Sequence, residues 1–287
     1  MGQERKSILI VDDDPEICRL LLKLLAAENL EISCTQTGSE ASELMEQRRY
    51  DLVLLDLGLP DCHGLDLLER FHGEGARQFL IITADDTPES LLRAIKEQAY
   101  GYLRKPFNRQ EIVDLVDEAL AAPELPSIEV ISAKPDWFEL SVPCSKNAAE
   151  RTQQFMRQME PKLPEETAAV ISQCFRELLM NAVEWGGKLE PSRRVRIAYL
   201  RTPRMVQYRI ADPGPGFRAD QLEHAAVGQQ EGDVVTHTRI RDEKGIRPGG
   251  FGILMVRAMS DELIYNEKHN EVVFIKYLES PKPERDL

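Results

Sequence analysis

The sequence predicts two domains in series. The first is a doubly wound α/β domain with a parallel sheet, and the second an α+β sandwich with helices on one face of a mixed sheet. Three observations lead there. Over residues 5–122, five short apolar runs alternate with five amphipathic segments, the pattern of strands and helices wound in turn. At residues 121–127 (Ala-Ala-Pro-Glu-Leu-Pro-Ser), two prolines follow a helical pattern and stop it. The charge changes at the same place: residues 1–122 carry 13 Lys and Arg against 24 Asp and Glu, whereas residues 123–287 carry 23 against 25. The domains are therefore expected at 5–122 and 131–279, with a linker at 123–130. A length of 287 residues suits two domains of ordinary size.

In the first half, Ile8–Val11, Leu52–Leu55 and Phe79–Ile82 read as buried strands, and Glu31–Thr35 and Tyr100–Leu103 as shorter ones. Between them, Glu16–Ala27, Ser39–Gln47, Leu65–Phe71, Glu89–Glu97 and Arg109–Leu120 place apolar residues at helical spacing. In the second half, Trp137–Val142 reads as a strand, followed by helices at about 145–160 and 164–184. Arg194–Leu200 and Val206–Ala211 are β-rich. A Gly/Pro loop and a long polar stretch follow, then a helix near 250–260 and strands near 263–266 and 271–278.

Composition narrows the function. The formal charge of −13 disfavours a nucleic-acid or anionic-membrane binder that relies on bulk charge. No stretch approaches the roughly 18 apolar residues of a membrane span, and the start MGQERKSILIV lacks a signal peptide's apolar core. Cys18, Cys34, Cys62, Cys144 and Cys174 are odd in number and form no CxxC pair. Free thiols in a reducing compartment, and so a cytoplasmic protein, are the expectation.

Ligands of a doubly wound sheet bind at the carboxyl ends of its strands. Acids lie there: Asp12 and Asp13 end the first strand and Asp56 the third, while Thr83 ends the fourth and Lys105 follows the fifth. Converging carboxylates repel unless a cation sits among them, and all-oxygen ligation with waters suits Mg²⁺. A lysine and a hydroxyl nearby are what phosphoryl oxygens need. For Asp14 the plainer reading holds, since Asp-Pro-Glu is a helix N-cap. Capping does not account for acids at the ends of two separate strands.

The matching motifs are ILIVDDDP (8–15), LLDLGLPDCHG (54–64), ITA (82–84) and YLRKPF (102–107), in order and at the expected spacing. With them the first half resembles the response-regulator receiver domains of two-component signalling, whose fold is flavodoxin-like. The resemblance implies Asp56 as phosphoryl acceptor and Asp13, helped by Asp12, as Mg²⁺ ligand beside it. It implies Thr83 and Lys105 as sensors of the phosphoryl oxygens and Tyr102 as the aromatic switch. It also implies a cognate sensor histidine kinase and self-dephosphorylation. Tyr102 has a plainer reading as a half-exposed strand aromatic. Lys105–Pro106 is a candidate cis peptide, since X–Pro bonds adopt cis at low cost.

Three features mark the second half. Glu177 and Asn181 are four apart on a helix and share a face. Asp212-Pro-Gly214-Pro-Gly216-Phe follows a strand, where glycines admit a ligand close to backbone and a carboxylate can accept from an exocyclic amine. Pro-Gly249-Gly250-Phe-Gly252 opens an apolar helix, whose first N–H groups can cradle phosphates. Each taken singly has a bland alternative: a solvated helix face, a tight turn, a loop before a helix.

Taken in order, RELLMNAVEWGG (176–187), ADPGPGF (211–217) and GGFGILMVRAMSDEL (249–263) resemble the GHKL, or Bergerat-fold, ATPases. The tail NEKHNEVVFIKYL (266–278) is similar to the anti-sigma-factor serine kinase branch. The resemblance implies ATP held by Asp212 on the adenine amino group, with Gly214, Gly216, Gly249, Gly250 and Gly252 around the nucleotide. It implies Asn181 on Mg²⁺ and Glu177 as general base. Trp185 stands where relatives often carry His, Pro248 replaces a frequent glycine, and the stretch 217–248 is long and rich in charge.

The expected function is a two-component response regulator whose phosphorylation on Asp56 controls an anti-sigma-factor-like protein serine/threonine kinase. The family-implied partners are a sigma factor or its antagonist, without direct nucleic-acid or membrane contact, and a homodimer is allowed. The alternative is an ATP-gated switch that sequesters a partner without phosphoryl transfer. A hybrid histidine kinase is disfavoured, because none of His63, His72, His224, His237 and His269 lies between residues 123 and 223, where a phosphoacceptor hairpin would stand.

Overall fold

The computed structural model describes residues 5–278 except 28, 73–74, 86, 123–126, 135, 160–162 and 217–251. The chain divides into two compact units, Met1–Val130 with Glu150–Lys162, and Ile131–Ala149 with Leu163–Leu287.

The first unit winds β1 (Lys6–Val11), α1 (Pro15–Leu24), β2 (Leu30–Thr35), α2 (Gly38–Gln47), β3 (Tyr50–Leu55), α3 (Gly64–Phe71), β4 (Ala76–Thr83), α4 (Pro88–Lys96), β5 (Gly101–Arg104) and α5 (Arg109–Ala121). The sheet order is β2-β1-β3-β4-β5 and its ladders are parallel, which is the flavodoxin-like arrangement. Continuous apolar runs produce it. Ile8–Val11 and Leu52–Leu55 are inaccessible on both faces, as strands covered by helices on two sides must be. Ile112, Leu115, Val116 and Ala119 of α5 join Ile8, Ile10, Leu52 and Leu80 in one core. Helix starts are set by local chemistry. Asp14 accepts from Glu16 N at 2.7 Å ahead of Pro15, and Thr87 caps α4 ahead of Pro88.

This unit also takes up Glu150–Lys162, the second half of α6 (Lys146–Gln158). Its Arg151, Thr152 and Gln153 are polar yet buried. The Arg151 guanidinium, pulled down to about 10 by burial, donates to the Tyr100 and Ala99 carbonyls at 3.0 and 2.8 Å. Gln154 Nε2 donates to Glu118 at 3.2 Å.

The second unit is built on a six-stranded sheet in the order β10-β11-β9-β8-β7-β6. Its strands are β6 (Glu129–Lys134), β7 (Trp137–Pro143), β8 (Arg194–Thr202), β9 (Met205–Ala211), β10 (Glu262–Tyr265) and β11 (Glu271–Tyr277). The β7–β8, β8–β9, β9–β11 and β10–β11 ladders are all antiparallel, where the sequence suggested a mixed sheet. Short connections, 203–204 between β8 and β9 and 266–270 between β10 and β11, allow only hairpins. Alternate residues face the core: Val195, Ile197 and Tyr199 from β8, with Val206, Tyr208 and Ile210 from β9. Helix α7 (Glu165–Asn181) covers that face, with Phe175 4.7 Å from the Tyr208 ring, and packs on α8 (Gly252–Met259).

Two sequence expectations need correction. Cys18 and Cys34 are disulfide-bonded, with Cα atoms 6.4 Å apart, so only Cys62, Cys144 and Cys174 are free. The pairing is tertiary: β2 lies beside β1 with Cys34 opposite Ile10, and α1 returns over them with Cys18 on its buried side. Short-range cysteine spacing carries no trace of that, and the thiol count ceases to argue for a reducing compartment. The helix expected over 164–184 ends at Asn181, and a π-helical turn, Ala182–Gly186, continues it. Among the described residues no helix is long and apolar enough to cross a membrane.

Candidate functional site

The carboxyl edge of the parallel sheet gathers Asp12, Asp13 and Asp56, with one carboxylate oxygen from each lying within 4.8 Å of the others. β1 and β3 are neighbours in register, Val11 opposite Leu55, so the residues that follow them must converge. The Asp56 N–H donates to the Val11 carbonyl at 2.8 Å, and Gly58 N donates to Asp56 Oδ1 at 3.2 Å. Asp12 is 2% exposed, whereas Asp13 faces solvent.

Lys105 closes this cluster. Its Nζ lies 2.7 Å from Asp12 Oδ2 and 2.5 Å from Asp56 Oδ2. Burial pushes the Asp12 carboxyl above its ordinary value, and Lys105 only partly offsets that. Burial alone would lower Lys105, but hydrogen bonds and charge from Asp12 and Asp56 outweigh it and hold the ammonium above its usual range. The backbone places the lysine: Lys105 N donates to the Thr83 carbonyl at 2.8 Å, and Lys105–Pro106 is cis, as the sequence suggested.

Thr83 is buried at the end of β4, its Oγ1 accepting from Asp85 N at 3.2 Å. Tyr102 is buried rather than half-exposed, and its hydroxyl donates to the Asp85 carbonyl at 2.9 Å. Thr83 and Tyr102 thus share the 83–85 turn. Gly64 closes the 54–64 motif without an assigned role in the sequence, and a Cβ there would lie 2.2 Å from the Asp56 carbonyl oxygen. The glycine lets α3 begin against the backbone of Asp56. Gly64→Ala is expected to destabilise the first unit by about 1–3 kcal/mol, the usual cost of overpacking, read as a lower urea midpoint.

Lys105→Ala leaves Asp12 and Asp56 without their buried cation. A loss of roughly 3–5 kcal/mol is expected. Added Mg²⁺ should recover more of it than added K⁺, because a divalent ion answers the same charge deficit. The parent's pH dependence has a definite sign. A lysine whose folded pKa is raised contributes stability that is complete below its ordinary 10.5 and lost as pH rises through the folded value. Urea midpoints should therefore fall above pH 10.5 in the parent and lose this component in the variant.

The second unit carries a separate constellation. Glu177 and Asn181 sit one turn apart on α7, both half-buried. Gly252 opens α8 against Glu177, since a Cβ there would lie 2.7 Å from Glu177 Oε2. Asp212 Oδ1 accepts from Gly214 N at 2.7 Å, and burial raises its carboxyl while that N–H pulls it back. Gly186, within the 176–187 motif, has no room for a Cβ: one there would stand 2.2 Å from Asp212 Oδ1. Gly216 adopts φ 83°, with Lys268 O 1.7 Å from where a Cβ would be. Gly249 and Gly250, and the charged stretch 217–248, lie outside the described residues.

Residues 8–117 match the family model for the response regulator receiver domain, and residues 143–276 match the histidine kinase-like ATPase domain. The chain joins a receiver domain to a histidine kinase-like ATPase domain. A receiver of this kind implies a cognate histidine kinase as its partner, and the ATPase domain stands as its output half.

Over 228 residues the chain is 28% identical to the DNA-binding response regulator MtrA of Mycolicibacterium smegmatis, covering 76% of this chain and 99% of that protein. It is 33% identical over 113 residues to the regulatory protein VanRB of Enterococcus faecalis, spanning 39% of this chain and 51% of VanRB. Among solved structures, a CheY-like receiver domain protein from Methanospirillum hungatei JF-1 is similar at 30% identity. It covers 40% of this chain and 94% of that one, with a TM-score of 0.39.

Proposed function

We propose that the receiver accepts a phosphoryl group on Asp56 from a sensor histidine kinase and thereby controls an ATP-dependent protein serine/threonine kinase of the anti-sigma-factor type. The observation that carries the reading is the ATPase-domain arrangement: Glu177 faces the first residue of α8, Asn181 stands one turn on, and Asp212 is held on its glycine loop. No histidine between residues 123 and 223 offers a phosphoacceptor ahead of that site. The tail 266–278, similar to the serine-kinase branch, supports a hydroxyl-bearing protein substrate.

The donor sets fit the implied ions. Asp12, Asp13 and Asp56 concentrate negative charge that Lys105 only partly neutralises, and would hold Mg²⁺ in the receiver. Asn181 would hold the ion of the ATP site. Mg²⁺ bound there neutralises phosphate charge. This chain's residues do the rest: Lys105 and Thr83 meet the phosphoryl oxygens on Asp56, Asp212 accepts from the adenine amino group, and Glu177 takes the partner hydroxyl's proton. The proposed partners are a sigma factor or its antagonist. MtrA is named as DNA-binding, whereas the charge of −13 on this chain supports a protein partner rather than direct nucleic-acid contact.

A second reading, ATP-gated sequestration without phosphoryl transfer, is favoured by Trp185. That side chain is 58% exposed in the turn after Asn181, an apolar contact for a partner beside the nucleotide site. Capture from lysate with Mg²⁺–ATP, with and without a beryllofluoride mimic on Asp56, distinguishes the two. The kinase reading expects phosphoserine or phosphothreonine on a captured partner. A partner held unmodified, with occupancy changed by beryllofluoride, establishes sequestration.

A further inference from the structure

The turn between β10 and β11, residues 266–270, is bound to the Asp212 loop, and its own bonds explain how. Asn266 Oδ1 accepts from Asn270 N at 3.1 Å and from Glu271 N at 3.2 Å. Asn266 Nδ2 donates to Asn270 Oδ1 at 2.8 Å. That bond occupies the Asn270 side-chain oxygen and fixes its amide plane, so the nitrogen turns outward. It donates to the Gly214 carbonyl at 3.2 Å. The Asn270 main-chain carbonyl, for its part, accepts from Asp212 N at 2.9 Å. One residue therefore holds both ends of the Asp212–Gly214 segment. A second point of support is Lys268, whose carbonyl packs against Gly216 where no side chain could fit.

The Asp212 carboxylate is confined between these supports. Gly214 N is bonded to Oδ1 at 2.7 Å, and Gly186 approaches the same oxygen so closely that a Cβ would lie 2.2 Å away. Its aim depends on where the Gly214 amide stands, and Asn270 sets that position.

We propose that Asn270, locked by Asn266, is the positioning residue that sets how Asp212 reads the base, making the β10–β11 turn a determinant of nucleotide specificity. The inference rests on the ATP-binding reading above. A carboxylate accepts hydrogen bonds and cannot donate them, so it favours the exocyclic amine of adenine over the carbonyl that hypoxanthine carries at the same place. The contact distinguishing the two bases is the one that a displaced Gly214 would spoil. Contacts to the sugar and phosphates, common to both nucleotides, would not change with it.

The test titrates the full chain with Mg²⁺–ATP and with Mg²⁺–inosine triphosphate. The parent should prefer ATP. In Asn270→Ala, ATP affinity should fall about tenfold, the scale of one or two lost hydrogen bonds, while inosine triphosphate stays within about twofold. Asn266→Asp keeps both acceptor bonds and loses only the donor to Asn270. Its ATP preference should narrow by about threefold, and it decides the question if Asn270→Ala does not fold. Equal losses for the two nucleotides would mean a merely structural turn, and an unchanged preference would also overturn the proposal. A parent that binds both equally removes Asp212 as the base reader. A parent that binds neither overturns the ATP reading itself, and this inference with it.

Discussion

Asp56→Asn should abolish phosphoryl uptake by the full chain, whether the donor is a sensor kinase or acetyl phosphate. The acceptor must be a carboxylate oxygen, which bonds to phosphorus to give an acyl phosphate while the bond from phosphorus to the donor's histidine nitrogen or acetate oxygen breaks, and an amide in its place is not such a nucleophile. Asp56 follows β3 directly and is firmly held: its N–H is bonded to Val11, Gly58 N bonds one carboxylate oxygen and Lys105 the other. Asparagine preserves the shape and leaves Lys105 paired with Asp12 at 2.7 Å, so the variant should remain folded. Phosphate-affinity electrophoresis and intact mass after a fixed exposure to acetyl phosphate provide the readout. The parent should show one phosphorylated species and the variant none. Uptake by the variant at the parent's rate would place the acceptor elsewhere, with solvent-facing Asp13 the next residue to replace.

What was legible beforehand divides by the range of the interaction. The ten elements from β1 to α5 were all readable, because apolar runs buried on two faces and caps such as Asp14-Pro15 are written in consecutive residues. The acids at strand ends were readable too, since a parallel sheet of known winding sends strand ends to one edge. The strand β6, Glu129–Lys134, was missed. It sits at the sheet's edge with polar residues exposed, so it lacks a buried run. The Cys18–Cys34 bond was missed because β2 and α1 meet only in the folded unit.

In the second unit the motif residues were legible, but their supports were not. Asp212 stood out by its glycines, whereas Asn270 and Asn266 lie more than fifty positions away and act through backbone bonds no local pattern records. Gly186 shows the same limit: its place against Asp212 follows from how the π-helical turn meets β9. The long charged stretch 217–248, and with it Gly249 and Gly250, falls outside the described residues.

Glu177→Gln carries the second large effect. If the ATPase domain transfers phosphoryl groups to a protein hydroxyl, the oxygen of that hydroxyl bonds to the terminal phosphorus, the bond to the bridging oxygen breaks, and the hydroxyl proton needs an acceptor. Glu177 is the carboxylate set against the start of α8, and a turn separates it from Asn181. Glutamine keeps the side chain's size but cannot take a proton, so partner phosphorylation should fall by about 10²–10⁴-fold, the range a general base contributes. Nucleotide affinity should change little, because the residues that would grip the base and ion, Asp212 and Asn181, are untouched. That split separates the two functional readings. Transfer lost with ATP binding retained identifies the base of a kinase. Full-rate phosphorylation in the variant would remove Glu177 from the chemistry. A parent that binds ATP, holds its partner and never modifies it would establish the sequestering switch, in which the same helix serves binding alone.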